Sequence, residues 1–164
     1  MKVCITGHRN GLGRELFINK RFDKTIGFDL LDGFDINNPD IILPYLSDVD
    51  VFINNAYHPV GQELMFKAVD DLWQSKGKLI VNISSMAAVK KDTPYANDKR
   101  RLEEASKAAK CRVTTIRPGL LDTPLTKAIT GRYKMDARIV ADIIACVINS
   151  PIHIPLIEIE DVLC

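Results

Sequence analysis

Short apolar, β-branched runs alternate with helix-patterned stretches along the whole chain, and few architectures accommodate that alternation. Strands are expected at Lys2–Thr6, Thr25–Phe28, Val51–Asn54, Lys78–Ile83, Arg112–Ile116 and Pro155–Ile159, with a short extended piece at Phe34–Ile36. Helices are expected at about Leu12–Asn19, Pro39–Ser47, Gly61–Ser75, Pro94–Ala109 and Asp136–Asn149. A helical crossover returns the chain to the same end of a sheet, so strands joined this way pair in parallel and need helices on both faces. The expectation is an α/β fold, a doubly wound parallel sheet in three layers. At 164 residues with 46% apolar side chains, residues 1–164 can bury one core but not two ordinary ones, so a single domain is expected.

Twenty-two basic and 21 acidic residues nearly cancel, which gives no reason to expect nucleic acid or a membrane surface as partner. The most apolar stretch, Ile139 to Ile148, carries Asp142 and is far shorter than the roughly 20 residues of a membrane helix. The start of the chain has only Val3-Cys4-Ile5 as an apolar run, too short for a signal peptide, and a cytoplasmic protein is expected. Cys4, Cys111, Cys146 and Cys164 show neither C-x-x-C nor metal-ligand spacing, so reduced thiols and no structural metal are expected.

Directly after the first strand stands Thr6-Gly7-His8-Arg9-Asn10-Gly11-Leu12-Gly13, and a helical pattern follows at once. Between a strand and a helix, three glycines serve a tight turn, a close backbone approach to a pyrophosphate, and helix-on-strand packing. The helix amino terminus then offers unpaired N–H groups and the positive end of its dipole to the phosphates. Asp29 closes the second strand, where a carboxylate can accept hydrogen bonds from the hydroxyls of an adenosine ribose. Together these features point to a dinucleotide.

Tyr95 and Lys99 stand one turn apart at the start of a helix and share a face. Ser85 lies ten residues before Tyr95, just past a strand whose carboxyl end opens on the same crevice. A tyrosine titrates near pH 10, and a close ammonium is expected to bring it down toward neutrality. Ser85 is then placed to hold the substrate oxygen that Tyr95 protonates.

In order and context these segments resemble those of the short-chain dehydrogenases and reductases, almost end to end. Thr6 to Gly13 looks like the family's T-G-x-x-x-G-x-G loop, Asp35-Ile36 like its adenine-contacting pair, and Asn54-Asn55-Ala56 like its N-N-A-G segment. Ser85, Tyr95 and Lys99 match its serine and Y-x-x-x-K, and Pro118-Gly119-Leu120-Leu121-Asp122-Thr123 is similar to the P-G-x-x-x-T stretch that holds the nicotinamide carboxamide. The resemblance implies a Rossmann-like sheet of strand order 3-2-1-4-5-6-7 and hydride exchange between a nicotinamide cofactor and a small carbonyl or alcohol substrate. It implies catalysis by Ser85, Tyr95 and Lys99. It assigns cofactor contacts to Thr6, Gly7, Arg9, Asn10, Gly11, Leu12 and Gly13 in the loop, to Asp29, Asp35 and Ile36 at the adenosine end, and to Asn55 and Ala56. Tyr95, Lys99, Pro118, Gly119, Leu120 and Thr123 complete the set. It also implies a homodimer or homotetramer paired through the Gly61–Ser75 and Pro94–Ala109 helices; Phe66, Val69 and Trp73 lend this weak apolar support and fit burial in the core equally well.

Tyr57 stands in place of the glycine of N-N-A-G, and too few residues lie between Asp29 and Asp35 for the usual helix. The family's relay asparagine has no counterpart; Val60, Gly61 and Gln62 occupy that neighbourhood. Asp29 should repel a 2′-phosphate, whereas Arg9 could reach one. The positions where phosphate-preferring relatives carry basic residues hold Asn10 and Leu30, so NAD(H) is expected over NADP(H) by roughly tenfold, NADP(H) remaining possible. The competing expectation is a non-catalytic dinucleotide sensor or partner-binding module.

Overall fold

The computed structural model describes residues 1–18, 21–74 and 77–160. Asn19, Ser75 and Cys164, named above as helix ends and a thiol, lie outside the described residues. In chain order the elements are β1 (Lys2–Thr6), α1 (Gly11–Ile18), β2 (Lys24–Phe28), β3 (Val51–Asn54), α2 (Gly61–Trp73), β4 (Leu79–Ile83), α3 (Ala87–Lys90), α4 (Pro94–Lys107), β5 (Arg112–Pro118), β6 (Leu121–Asp122), β7 (Met135–Asp136), α5 (Ala137–Ile148) and β8 (Leu156–Ile159).

Six of the strands form one parallel sheet in the order β2-β1-β3-β4-β5-β8, and β6 pairs with β7 apart from it. Alternate side chains of each strand leave on opposite faces, which divides the core in two. Val3, Ile5, Ile53, Val81 and Ile116 pack under α1 and α5 with Leu16, Val140 and Ile144. Cys4, Phe52 and Ile80 pack under α2 and α4 with Met65, Phe66, Val69, Trp73 and Leu102. The α/β, doubly wound, three-layer architecture expected from the alternation is the one observed.

Two local expectations are corrected. The Pro39–Ser47 segment is not an α-helix but two 3-10 turns, Pro39–Ile41 and Leu43–Leu46, and Phe34–Ile36 joins no sheet. Pro44 removes a backbone donor and its ring crowds the preceding turn, so a continuous α-helix across it is disfavoured. Only 22 residues, 29 to 50, join β2 to β3. A parallel crossover takes a dozen residues or more, so this stretch has no room for a further strand with a crossover on either side. The outermost strand of the order 3-2-1-4-5-6-7 is therefore missing, and β2 is the edge.

Phe66, Val69 and Trp73 are fully buried in the core, which withdraws the apolar support they lent to subunit pairing. Among the described residues no helix is long and apolar enough to cross a membrane. Cys4 and Cys111 are buried thiols, and Cys146 is an exposed one.

Candidate active site

The carboxyl ends of β1, β3, β4 and β5 open on one crevice because all four strands run the same way. At its centre the glycine loop turns with Gly7 at φ +71°, a conformation that side chains resist. Gly13 is excluded from change by space: a Cβ there would stand 2.1 Å from the Gly7 carbonyl oxygen and 2.6 Å from Asn55 Nδ2. Asn55 Nδ2 donates to the carbonyls of Thr6 (2.9 Å) and Gly7 (3.3 Å), and the Thr6 hydroxyl accepts from the amides of Asn55 and Ala56, both at 3.0 Å. Thr6 and Asn55 thus shape the loop by binding each other's backbone. The first amides of α1, at Gly11, Leu12 and Gly13, are the ones an α-helix leaves without a partner of its own, and a helix amino terminus of this kind suits an anion. Thr123, far away in sequence, is brought against Gly11, close enough that a Cβ on Gly11 would meet its methyl at 3.1 Å.

Toward the edge strand lies a hollow of about 280 Å³ whose walls include Phe28, Asp29, Asp35, Ile36 and Ala56. Asp29, Asp35 and Ile36, the three residues assigned above to the adenosine end, are thus gathered in one place. His58 also lines this hollow, and its Nδ1 accepts from the Gly61 amide at 3.3 Å. Asp29 accepts from the amides of Leu31 (3.1 Å) and Arg9 (3.4 Å). Arg9 does not point freely into the crevice: its guanidinium is paired in a fork with Asp32, Nε standing 3.0 Å from Oδ2. A second hollow of about 240 Å³, between the glycine loop and α5, is lined in part by Asn10, Gly11 and Arg14, the last unremarked in the sequence.

At the other end of the crevice, Thr93 caps α4 by accepting from the Ala96 amide at 3.2 Å, with Pro94 at the first helical position. That start puts Tyr95 in the first turn and Lys99 one turn on, below it. Lys99 is 2% exposed. Its Nζ donates to Gln62 Oε1 at 2.6 Å and to the Ile83 carbonyl at 2.9 Å. Gln62 in turn donates to the carbonyls of Asn54 (2.9 Å) and Ile83 (3.0 Å), tying the ends of β3 and β4 to the lysine. The remaining side of the ammonium is covered by two rings, with the centre of Tyr57 at 5.1 Å and that of Tyr95 at 5.4 Å. Tyr57 packs edge-on against Tyr95 and donates its hydroxyl proton to Asp98 at 2.8 Å.

Burial lowers the Lys99 pKa to about 7, against the pull of Asp98 and Glu103 in the other direction. Burial also raises Tyr95, with Ser85 opposing it by hydrogen bonding. The expectation that Lys99 depresses Tyr95 is therefore corrected: the ammonium is engaged by Gln62 and Ile83, and Tyr95 lies above its ordinary value. Tyr57 is pushed up to about 12, by burial first and then by Asp98. Gln62 carries no local sequence signal for this role, since glutamine in the first turn of a helix is unremarkable; only the topology shows it.

No protein-family model and no curated protein matches the sequence. Solved structures do. An alcohol dehydrogenase from the archaeon Thermococcus sibiricus, complexed with 5-hydroxy-NADP, superposes with a TM-score of 0.79 at 15% identity, over 99% of this chain and 97% of that one. The fold is that of the short-chain dehydrogenases and reductases. A short-chain dehydrogenase from Burkholderia cenocepacia in complex with NADP matches with a TM-score of 0.76 at 17% identity, over 98% of this chain and 88% of that one. The 3-ketoacyl-(acyl-carrier-protein) reductase from Brucella melitensis complexed with NADH gives 0.73 at 20% identity, over 96% and 95%. Within this fold, Ser85 lies just past the carboxyl end of β4, and Lys99, on α4 with Tyr95, donates to the last carbonyl of β4 at Ile83.

Proposed function

We propose that the chain is a nicotinamide-dependent oxidoreductase acting on a small carbonyl or alcohol substrate. The observation that carries this reading is the joint presence, on one crevice, of a glycine cradle that a Cβ at Gly13 would fill and of Tyr95 above a buried Lys99. The residues suit a dinucleotide: tight glycines and the first amides of α1 for the phosphates, and a hollow with Asp29 at the adenosine end. The bound forms of the structural neighbours, NADP and NADH, support the same cofactor class.

When bound, the nicotinamide ring supplies or takes up the hydride. Tyr95 exchanges the proton of the substrate oxygen, and the Ser85 hydroxyl orients that oxygen by donating to it. Lys99, next to Tyr95 on the same helix face, would hold the ribose hydroxyls of the nicotinamide half. Pro118, Gly119, Leu120 and Thr123 line the nicotinamide end. NAD(H) is the preferred cofactor and NADP(H) the weaker one; the protein is a cytoplasmic homodimer or homotetramer.

A second reading, dinucleotide binding without turnover, is favoured by the Tyr57 ring standing over the Lys99 ammonium. Calorimetric titration with NADH, followed by NADH oxidation across a panel of aldehydes and ketones, separates the two. Turnover of any carbonyl that Tyr95→Phe abolishes supports the enzyme; tight binding with none across the panel supports the sensor.

A further inference from the structure

The 3-10 turn Leu30–Asp32 follows β2 directly and closes on Gly33, in the left-handed region at φ +85°. It stands where a crossover helix would otherwise begin, and it brings a second carboxylate beside Asp29. Arg9 joins the two: its amide faces Asp29 Oδ2 at 3.4 Å, while its guanidinium grips Asp32 through Nε at 3.0 Å and through a terminal nitrogen. His8 Nε2 lies 3.7 Å from the same Asp32 carboxylate.

We infer that Asp32 is a specificity-determining residue for the dinucleotide, holding Arg9 in a closed fork so that it is withheld from a 2′-phosphate on the ribose that Asp29 binds. This rests on the dinucleotide reading of the site above. The Arg9 amide lies 3.4 Å from Asp29 Oδ2, so a ribose held by Asp29 through its hydroxyls would have its 2′ position near Arg9. A plain hydroxyl there needs no cation. A 2′-phosphate carries nearly two negative charges, and a guanidinium fork matches phosphate oxygens as well as it matches a carboxylate. The phosphate must therefore displace Asp32 from Arg9 and then lie next to the displaced carboxylate. Asp32 acts twice, by occupying the arginine and by repelling the competing anion.

Asp32 can be tested more cleanly than Asp29. Asp29 caps the turn through the Leu31 amide, so its removal disturbs the backbone. The Asp32 carboxylate meets the side chains of Arg9 and His8, and Asp32→Asn keeps its shape. Isothermal titrations with NADH and with NADPH at one fixed, low ionic strength should show Asp32→Asn binding NADPH at least tenfold tighter than wild type. NADH affinity should stay within about threefold, and the melting temperature should be unchanged. In the double variant Arg9→Gln/Asp32→Asn the NADPH gain should disappear, and in the single variant it should shrink with added salt. A change below threefold in Asp32→Asn overturns the inference, and so does a gain that survives the loss of Arg9. Binding of neither dinucleotide to the wild-type protein instead overturns the reading of the site, and the inference with it.

Discussion

Replacing Lys99 with methionine should remove a pH dependence from the stability of the fold. An exposed lysine titrates at its ordinary value of 10.5, and in this fold Lys99 titrates at about 7 because burial disfavours the charged form. The folded pKa is the lower one, so the cost of burial is fully present below about pH 7 and is relieved as the pH rises toward 10.5. Across that window the unfolded chain binds more protons, and stability climbs with pH. The two pKa values give a gain of about 2 kcal/mol from Lys99 between pH 7 and pH 9, and little change between pH 6 and pH 7. Lys99→Met also leaves Gln62 Oε1 without its donor, at a cost of about 1–3 kcal/mol, but that cost does not depend on pH and drops out of the comparison. Nearby groups keep their charge over this range: Glu103 is held below its ordinary value by Arg117 and Ser84, and the hydroxyls of Tyr57 and Tyr95 are both raised. Urea unfolding at pH 6, 7, 8 and 9, followed by the fluorescence of buried Trp73, measures it. Wild type should gain on the variant by about 2 kcal/mol from pH 7 to 9; parallel curves would mean that Lys99 stays charged in the fold, and the reasoning fails.

Tyr95→Phe should lower turnover of any accepted carbonyl by about 100-fold or more while leaving the NADH dissociation constant unchanged in calorimetry, since the lost hydroxyl acts on substrate oxygen. Gly13→Ala should destabilise the fold by about 1–3 kcal/mol in urea and weaken NADH at least tenfold, because its Cβ would stand 2.1 Å from the Gly7 carbonyl; unaltered affinity would contradict the packing. Light scattering at micromolar concentration should give a dimer or tetramer, and a monomer would count against paired α2 and α4 helices.

The parts of the fold legible in the sequence are those that local chemistry fixes. β1, β3 and β4 are short β-branched runs between turn residues, and each has the extent expected to within a residue. The start of α4 was legible because Thr93-Pro94 is a cap followed by a residue suited to the first helical position. Pro39–Ser47 was not, because its apolar spacing fits a helix while Pro44 and the short connection forbid one. The state of Tyr95 was also misread: four residues along a helix bring Lys99 near, but whether its protons reach the phenol depends on Gln62 and Ile83, which come from other elements. Phe66, Val69 and Trp73 illustrate the same limit, since a helical stripe reads alike whether a core or a partner covers it.

The missing strand has a consequence confined to one end of the crevice. Residues 29 to 50 replace a strand and its crossovers with turns, yet Ile36, Ile42, Leu46 and Val49 from this stretch are buried and roof the core on the α2 side. At about 1.5–3 kcal/mol for each such side chain, that burial offsets much of the lost packing. Phe34 and Tyr45 close against Phe28, with ring centres 4.6 and 5.3 Å away, and give the edge strand an aromatic wall instead of a neighbouring strand. The same turns carry Asp29, Asp32 and Asp35 to the adenosine hollow and its rim, so the shortening concentrates acidic groups where a 2′-phosphate would sit. At the far end β4, α4 and β5 lie outside this stretch, and Ser85, Tyr95 and Lys99 stand on them or just past them. On the proposed reading, economy at the edge of the sheet bears on the choice of dinucleotide, while the proposed chemistry rests on elements outside residues 29 to 50.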